Sequence, residues 1–160
     1  MSDQPLRVLF LCNHNSARSQ MAEAFLRHLS GGSIQAYSAG LGKKDIKPTV
    51  FEVMEESGIP LEGHVSKTVD EVRDLQPFDY VIVVCKTNEN ECPGFTDLAH
   101  HHLSWEIESP FPDRKPADLN PSEKLTHYRS LRDQVSDCVA RWLEGINRSN
   151  LSSAAAASRD

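Results

Sequence analysis

Residues 12–19 read CNHNSARS, a cysteine and an arginine six positions apart with only small, amide or imidazole side chains between them. The apolar run RVLFLC ends on that cysteine, and the helical pattern QMAEAFLRHL follows. A loop that enters a helix N-terminus aims consecutive backbone N–H groups at one point, where the helix dipole adds partial positive charge. A tetrahedral oxyanion fits such a cradle. Asn13, His14, Asn15, Ser16 and Ala17 would form its wall, and Arg18 adds a planar fork that donates to two oxygens at once, as lysine cannot. The same positive surroundings favour the thiolate of Cys12, the nucleophilic form of the side chain. Asn15 can hold the loop by side-chain to backbone bonds, while Ser16 and Ser19 offer hydroxyls to the loop or to the sulfur.

The elements that must position this loop read as follows. RVLFLC is the kind of short apolar run that a fully buried parallel strand shows, and Ser16–Leu29 carries Met21, Ala24, Phe25 and Leu29 at helical spacing. IQAYSAG makes a second strand, and Pro48 opens a helix through Val50, Val53 and Met54 that stops at Gly58. VSKTVDEVRDL suggests a short helix, FDYVIVVC a strand ending on a second cysteine, and HHHLSWE a further strand. From Pro121 to Ile146 the residues Leu125, Tyr128, Leu131, Val135, Cys138, Val139, Trp142 and Ile146 trace one helical stripe, with Asn120 as N-cap. The remainder, with no apolar periodicity, reads as a loose tail over 148–160. The expected fold is a single α/β domain over 1–147, an open parallel sheet of about four strands flanked by helices, with ligands outside the carboxyl ends of the strands. Cys12 and Cys85 would share that edge.

Composition narrows the function. The chain has 160 residues, 39% hydrophobic and 25% charged, enough for one domain with a proper core. A net charge of −6 argues against nucleic acid or an anionic membrane surface as the main partner. No run reaches the roughly 20 apolar residues of a membrane span, and the N-terminus lacks the pattern of a secretory signal, so a cytoplasmic location is expected. There the cysteines Cys12, Cys85, Cys92 and Cys138 are not expected to form a structural disulfide framework, and none are paired as C-x-x-C. Catalytic or redox roles gain weight.

The segment LFLCNHNSARSQMAEAFLR, with YSAG further on, resembles the low-molecular-weight tyrosine phosphatase fold, and most closely its arsenate reductase branch, over roughly residues 6–146. The resemblance implies that Cys12 is the nucleophile and Arg18 the oxyanion clamp. A phosphatase needs one cysteine, but reducing As(V) to As(III) takes two electrons, which thiols supply by ending as a disulfide. In the thioredoxin-coupled reductases of this type, two cysteines at the spacing of Cys85 and Cys92 carry a redox relay, so the implied chemistry is attack by Cys12 on arsenate followed by a Cys12–Cys85–Cys92 cascade that thioredoxin resets. A helix over 85–92 would hold the two Cα atoms about 10 Å apart, beyond the roughly 6.8 Å a disulfide tolerates. That segment, polar at Thr87, Asn88, Glu89 and Asn90, would have to rearrange. Cys138, on the apolar stripe of the last helix, is assigned to packing. The rival readings are a low-molecular-weight tyrosine phosphatase with Cys12 as nucleophile, protected by Cys85 through reversible oxidation, and an arsenic or redox sensor without turnover.

Two departures from the family pattern matter. The Asp-Pro expected after the Trp-bearing strand is replaced in WEIESPFPD by Ser109 before Pro110, which leaves Glu108 and Asp113 as alternative proton donors. Some relatives also hold a cation behind the loop with an Asn, a Glu, a Ser and an Asp. Asn15, Glu23 and Ser38 match the first three, while Lys67 stands where the Asp would be, so its ammonium is expected to replace the ion and no potassium to bind. Neither a resident metal nor a tightly bound cofactor is expected. The run His100, His101, His102 lacks a carboxylate or thiolate beside it and reads as a solvated strand rather than a metal site.

Overall fold

The computed structural model describes residues 5–12, 15, 17–42, 44–75, 77–84, 99–107 and 118–157, with side chains described as far as residue 148. Four parallel strands, β1 (Arg7–Cys12), β2 (Gln35–Gly40), β3 (Phe78–Val83) and β4 (Ala99–Ser104), form one sheet in the order β2-β1-β3-β4. The helices are α1 (Arg18–Leu29), α2 (Pro48–Glu56), α3 (Val69–Val72, continued by a 3-10 turn to Leu75) and α4 (Pro121–Ala157). The parallel α/β sheet expected from the sequence is the one observed.

The unbroken apolar run of β1 follows from its central place, because helices cover both faces. Val8, Phe10 and Cys12 point to one side, into the large core with α1, α2 and α4, whereas Leu9 and Leu11 point to the other, against Val69, Val72 and Phe78. Period-two alternation therefore puts the Cys12 side chain on the α1 face. In register, Cys12 lies opposite Gly40 of β2 and Leu11 opposite Val83 of β3, and the Val84 N–H donates to Leu11 O at 2.8 Å. The β1 and β3 ends thus sit side by side at one rim.

α4 closes the large face through Leu131, Val135, Val139 and Leu143. Glu56 at the end of α2 ties it down, with Arg129 Nη2 at 2.6 Å and Arg132 Nη1 at 2.9 Å. The helix runs on to Ala157, into the stretch expected as a tail. Alanine has the best helix propensity, so an alanine-rich stretch favours extension of a helix whose nucleus is already formed. Among the described residues no helix is long and apolar enough to cross a membrane.

Candidate active site

Cys12 is 4% exposed at the carboxyl end of β1, and its carbonyl accepts from Leu41 N–H at 3.3 Å. Its Sγ lies 2.8 Å from Ser19 Oγ in the first turn of α1. Asn15 Nδ2 donates to the same Ser19 oxygen at 2.8 Å. With one lone pair of that oxygen engaged by an amide N–H, the hydroxyl proton is left for the sulfur, and against a thiolate it is the donor that the contact requires.

Asn15 is held on both polar side-chain atoms and on its main-chain oxygen. Its Oδ1 accepts from Gln20 Nε2 and from the Lys67 backbone N–H, both at 2.8 Å. Its main-chain oxygen accepts from Ser66 Oγ at 2.9 Å and Gln20 Nε2 at 3.2 Å. This lock holds the backbone at φ 52°, a left-handed conformation that asparagine tolerates better than most residues. Ser66 Oγ also donates to Lys44 O. The loop is thereby pinned from the α2–α3 connection, 51 residues further along the chain.

The start of α1 is open to an anion. Ala17 at the N-cap offers no side-chain acceptor and the first turn has no acidic residue, so the helix N-terminal N–H groups are not claimed by a carboxylate of their own helix. Arg18, the first residue of that helix, donates through Nη1 to Ile107 O at 2.9 Å, and the segment bearing Ile107 is hung on β3 by Trp105 N–H donating to Val83 O at 2.7 Å. One edge of the guanidinium is fixed to the scaffold, and its remaining donors are not spent on that bond.

Of the loop-support residues, Glu23 and Ser38 are buried. Glu23 Oε2 lies 3.0 Å from His64 Nδ1 and Oε1 lies 3.8 Å from Arg27, while Ser38 Oγ has no hydrogen-bond partner among the described residues. Lys67 serves the loop through its backbone rather than its ammonium, which donates to Val65 O at 3.2 Å. Asn13, His14, Ser16, Cys85, Cys92, Glu108 and Asp113 lie outside the described residues. His100, His101 and His102 stand exposed on the outer strand β4, where His101 stacks on Tyr80 at 4.8 Å, and the described residues contain no metal-binding group of three. Cys138 is half-buried against the large core, and burial, helped by Asp137, pushes its thiol up.

Sequence reasoning missed Gln20 and His64. Gln20 is fully buried, and its Nε2 also donates to Val65 O at 2.9 Å while its Oε1 meets His64 Nδ1 at 3.0 Å. The signal for Gln20 was present: Ala22 and Leu26 extend the apolar positions around α1, so the helix is enclosed on most sides and its polar residues must find partners inside. His64 sits in an irregular connection 44 residues away, and nothing local marks it.

The chain is similar to known proteins over most of its length. A glutaredoxin arsenate reductase of Synechocystis is 30% identical over 141 residues, covering 88% of this chain and 98% of that protein. Among solved structures, an arsenate reductase in the phosphate binding state superposes with a TM-score of 0.71 at 30% identity, covering 88% of this chain and 98% of the other. A thioredoxin-dependent arsenate reductase of Corynebacterium glutamicum gives 0.68 at 27% identity, covering 93% of this chain and 65% of its own. Residues 7–152 match the family described as low molecular weight phosphotyrosine protein phosphatase, and the chain belongs to this family.

Proposed function

We propose that the protein is an arsenate reductase in which Cys12 is the nucleophile and Cys85 and Cys92 complete a disulfide relay reset by thioredoxin. The observation that carries the reading is the Cys12 sulfur set against the Ser19 hydroxyl at the start of α1, where no side chain caps the helix. The names of the relatives supply the substrate of this reading, since both are called arsenate reductases.

In the first step Cys12 Sγ attacks arsenic, an arsenate oxygen leaves as water after taking up protons, and a thiol–arsenate adduct forms. The Cys85 thiolate then attacks the Cys12 sulfur. The S–As bond breaks with its electron pair on arsenic, which departs as arsenite, leaving a Cys12–Cys85 disulfide. Cys92 attacks the Cys85 sulfur and frees Cys12 as a thiolate, and a thioredoxin dithiol reduces the Cys85–Cys92 bridge, so two electrons pass from donor to arsenic. Arg18 and the α1 N-terminal N–H groups hold the oxyanion oxygens through these exchanges.

The test is arsenate-dependent NADPH oxidation with thioredoxin and its reductase, run in parallel with glutaredoxin and glutathione because the Synechocystis relative is named for glutaredoxin. Cys12→Ser, Cys85→Ser and Cys92→Ser should each abolish repeated turnover. Full turnover by Cys92→Ser with thioredoxin removes the third cysteine from the mechanism, and aryl phosphate hydrolysis without arsenate-dependent NADPH oxidation makes the protein a phosphatase.

A further inference from the structure

A free arginine samples many rotamers, and an oxyanion that binds it must select one. Immobilising such a side chain on binding weakens affinity by a factor of about two to twelve. Arg18 meets this cost in advance, because its Nη1 already donates to Ile107 O at 2.9 Å. Nη1 lies on the Cδ side of the guanidinium, so that bond leaves the opposite edge, Nε–H beside Nη2–H, as a complete planar fork. The acceptor is a main-chain oxygen. What decides the aim of the fork is therefore how firmly Ile107 is placed.

Several contacts place it. Ile107 N–H donates to Trp105 O at 2.8 Å, which closes a tight turn over residues 105–107. Trp105 N–H donates to Val83 O at 2.7 Å, and the Trp105 ring packs against Phe10 with centroids 5.7 Å apart. Phe10 and Cys12 lie two residues apart on one face of β1, so the tether of the arginine packs against the strand that carries the nucleophile. A turn held by main-chain bonds alone could still pivot. The Ile107 side chain, 3% exposed in the large core and stiff at its branched Cβ, is the further point that prevents it.

We propose that Ile107 is a positioning residue for oxyanion recognition: its buried side chain holds the carbonyl that orients Arg18, so the guanidinium is set before an oxyanion arrives and offers it the Nε–H and Nη2–H edge. The inference rests on Arg18 as the oxyanion clamp of the proposed function, but not on arsenate as the substrate. Absent arsenate turnover would refute that reading and leave this one in place.

The test uses the full chain and inorganic phosphate. In phosphate-free parent labelled with nitrogen-15 in its arginines, the Arg18 Nη1 and Nη2 signals are identified by their loss in Arg18→Lys. They should be separate, because the tether slows rotation of the guanidinium. Ile107→Ala leaves a cavity and melts earlier on any reading, so its thermal midpoint is not the readout. Well below that midpoint it should merge the two signals and bind phosphate about three- to tenfold more weakly by calorimetry. Ile107→Val, which keeps a buried branched anchor, should restore both. In an Arg18→Lys background, with no fork to orient, Ile107→Ala should change phosphate affinity by less than about twofold, whereas general loosening of the site would weaken binding equally in the two backgrounds. Merged Arg18 signals in the parent overturn the inference by themselves, whether or not Ile107→Ala folds. Equal losses in the two backgrounds also overturn it, as does parental affinity in an Ile107→Ala protein that folds.

Discussion

Replacing Ser19 with alanine separates two jobs that one hydroxyl performs. It removes the O–H donated to the Cys12 sulfur at 2.8 Å, and it strands Asn15 Nδ2, which loses its 2.8 Å acceptor inside the protein. A hydrogen bond to a charged group contributes about 1.5–3 kcal/mol, and about 1.4 kcal/mol is a factor of ten, so thiolate chemistry should slow by roughly 10–150-fold. The stranded amide costs about 1–3 kcal/mol of stability, which for a domain of this size lowers the thermal midpoint by roughly 2–12 °C. Stopped-flow alkylation of Cys12 at fixed pH reads the first quantity and thermal unfolding reads the second. Asn15→Ala is the control, since it leaves the Ser19 hydroxyl in place while removing the groups that orient it, and it should lower both readings. A Ser19→Ala protein that melts earlier but reacts at the parental rate would show that the hydroxyl only supports the fold, and the assignment of the sulfur contact to chemistry would fall.

Two further outcomes follow from other contacts. Arg18→Lys keeps the charge but not the planar fork anchored on Ile107 O, so oxyanion affinity should fall by about tenfold or more while the thermal midpoint barely moves; equal affinity by calorimetry would remove the fork from recognition. Glu56 is held down to about 2, from an ordinary 4.5, chiefly by its hydrogen bond from Arg129 and also by Arg132. Its pairing therefore stabilises the α2–α4 contact fully above pH 4.5 and ceases to do so as pH falls through about 2. Glu56→Gln should accordingly melt below the parent at pH 7, with the gap closing between those two values. A gap that persists at pH 2 would point to packing instead.

The sequence showed most clearly where local pattern and global burial agree. RVLFLC is apolar throughout because β1 is covered on both faces, and the place of Cys12 at a strand end and Arg18 at a helix start could be read without coordinates. What stayed hidden was the support. Gln20 has the composition of a helix surface and is fully buried, and the His64, Ser66 and Lys67 contacts to it and to Asn15 come from a connection without regular structure. Contacts between irregular segments leave no periodic trace. The helical end of α4 left no apolar period in the sequence to read, since alanine's propensity alone favours extending a helix already formed.

Asn15 enters five hydrogen bonds, with Ser19, with Ser66, with the Lys67 main chain, and twice with Gln20. A receptor braced in this way has surrendered its disorder at the time of folding, so an arriving oxyanion is spared much of the ordering cost that a slack loop would impose. Calorimetric titration of the parent with an inert oxyanion should then show a smaller entropic penalty than the same titration of Gln20→Ala, even where the two heats of contact are alike.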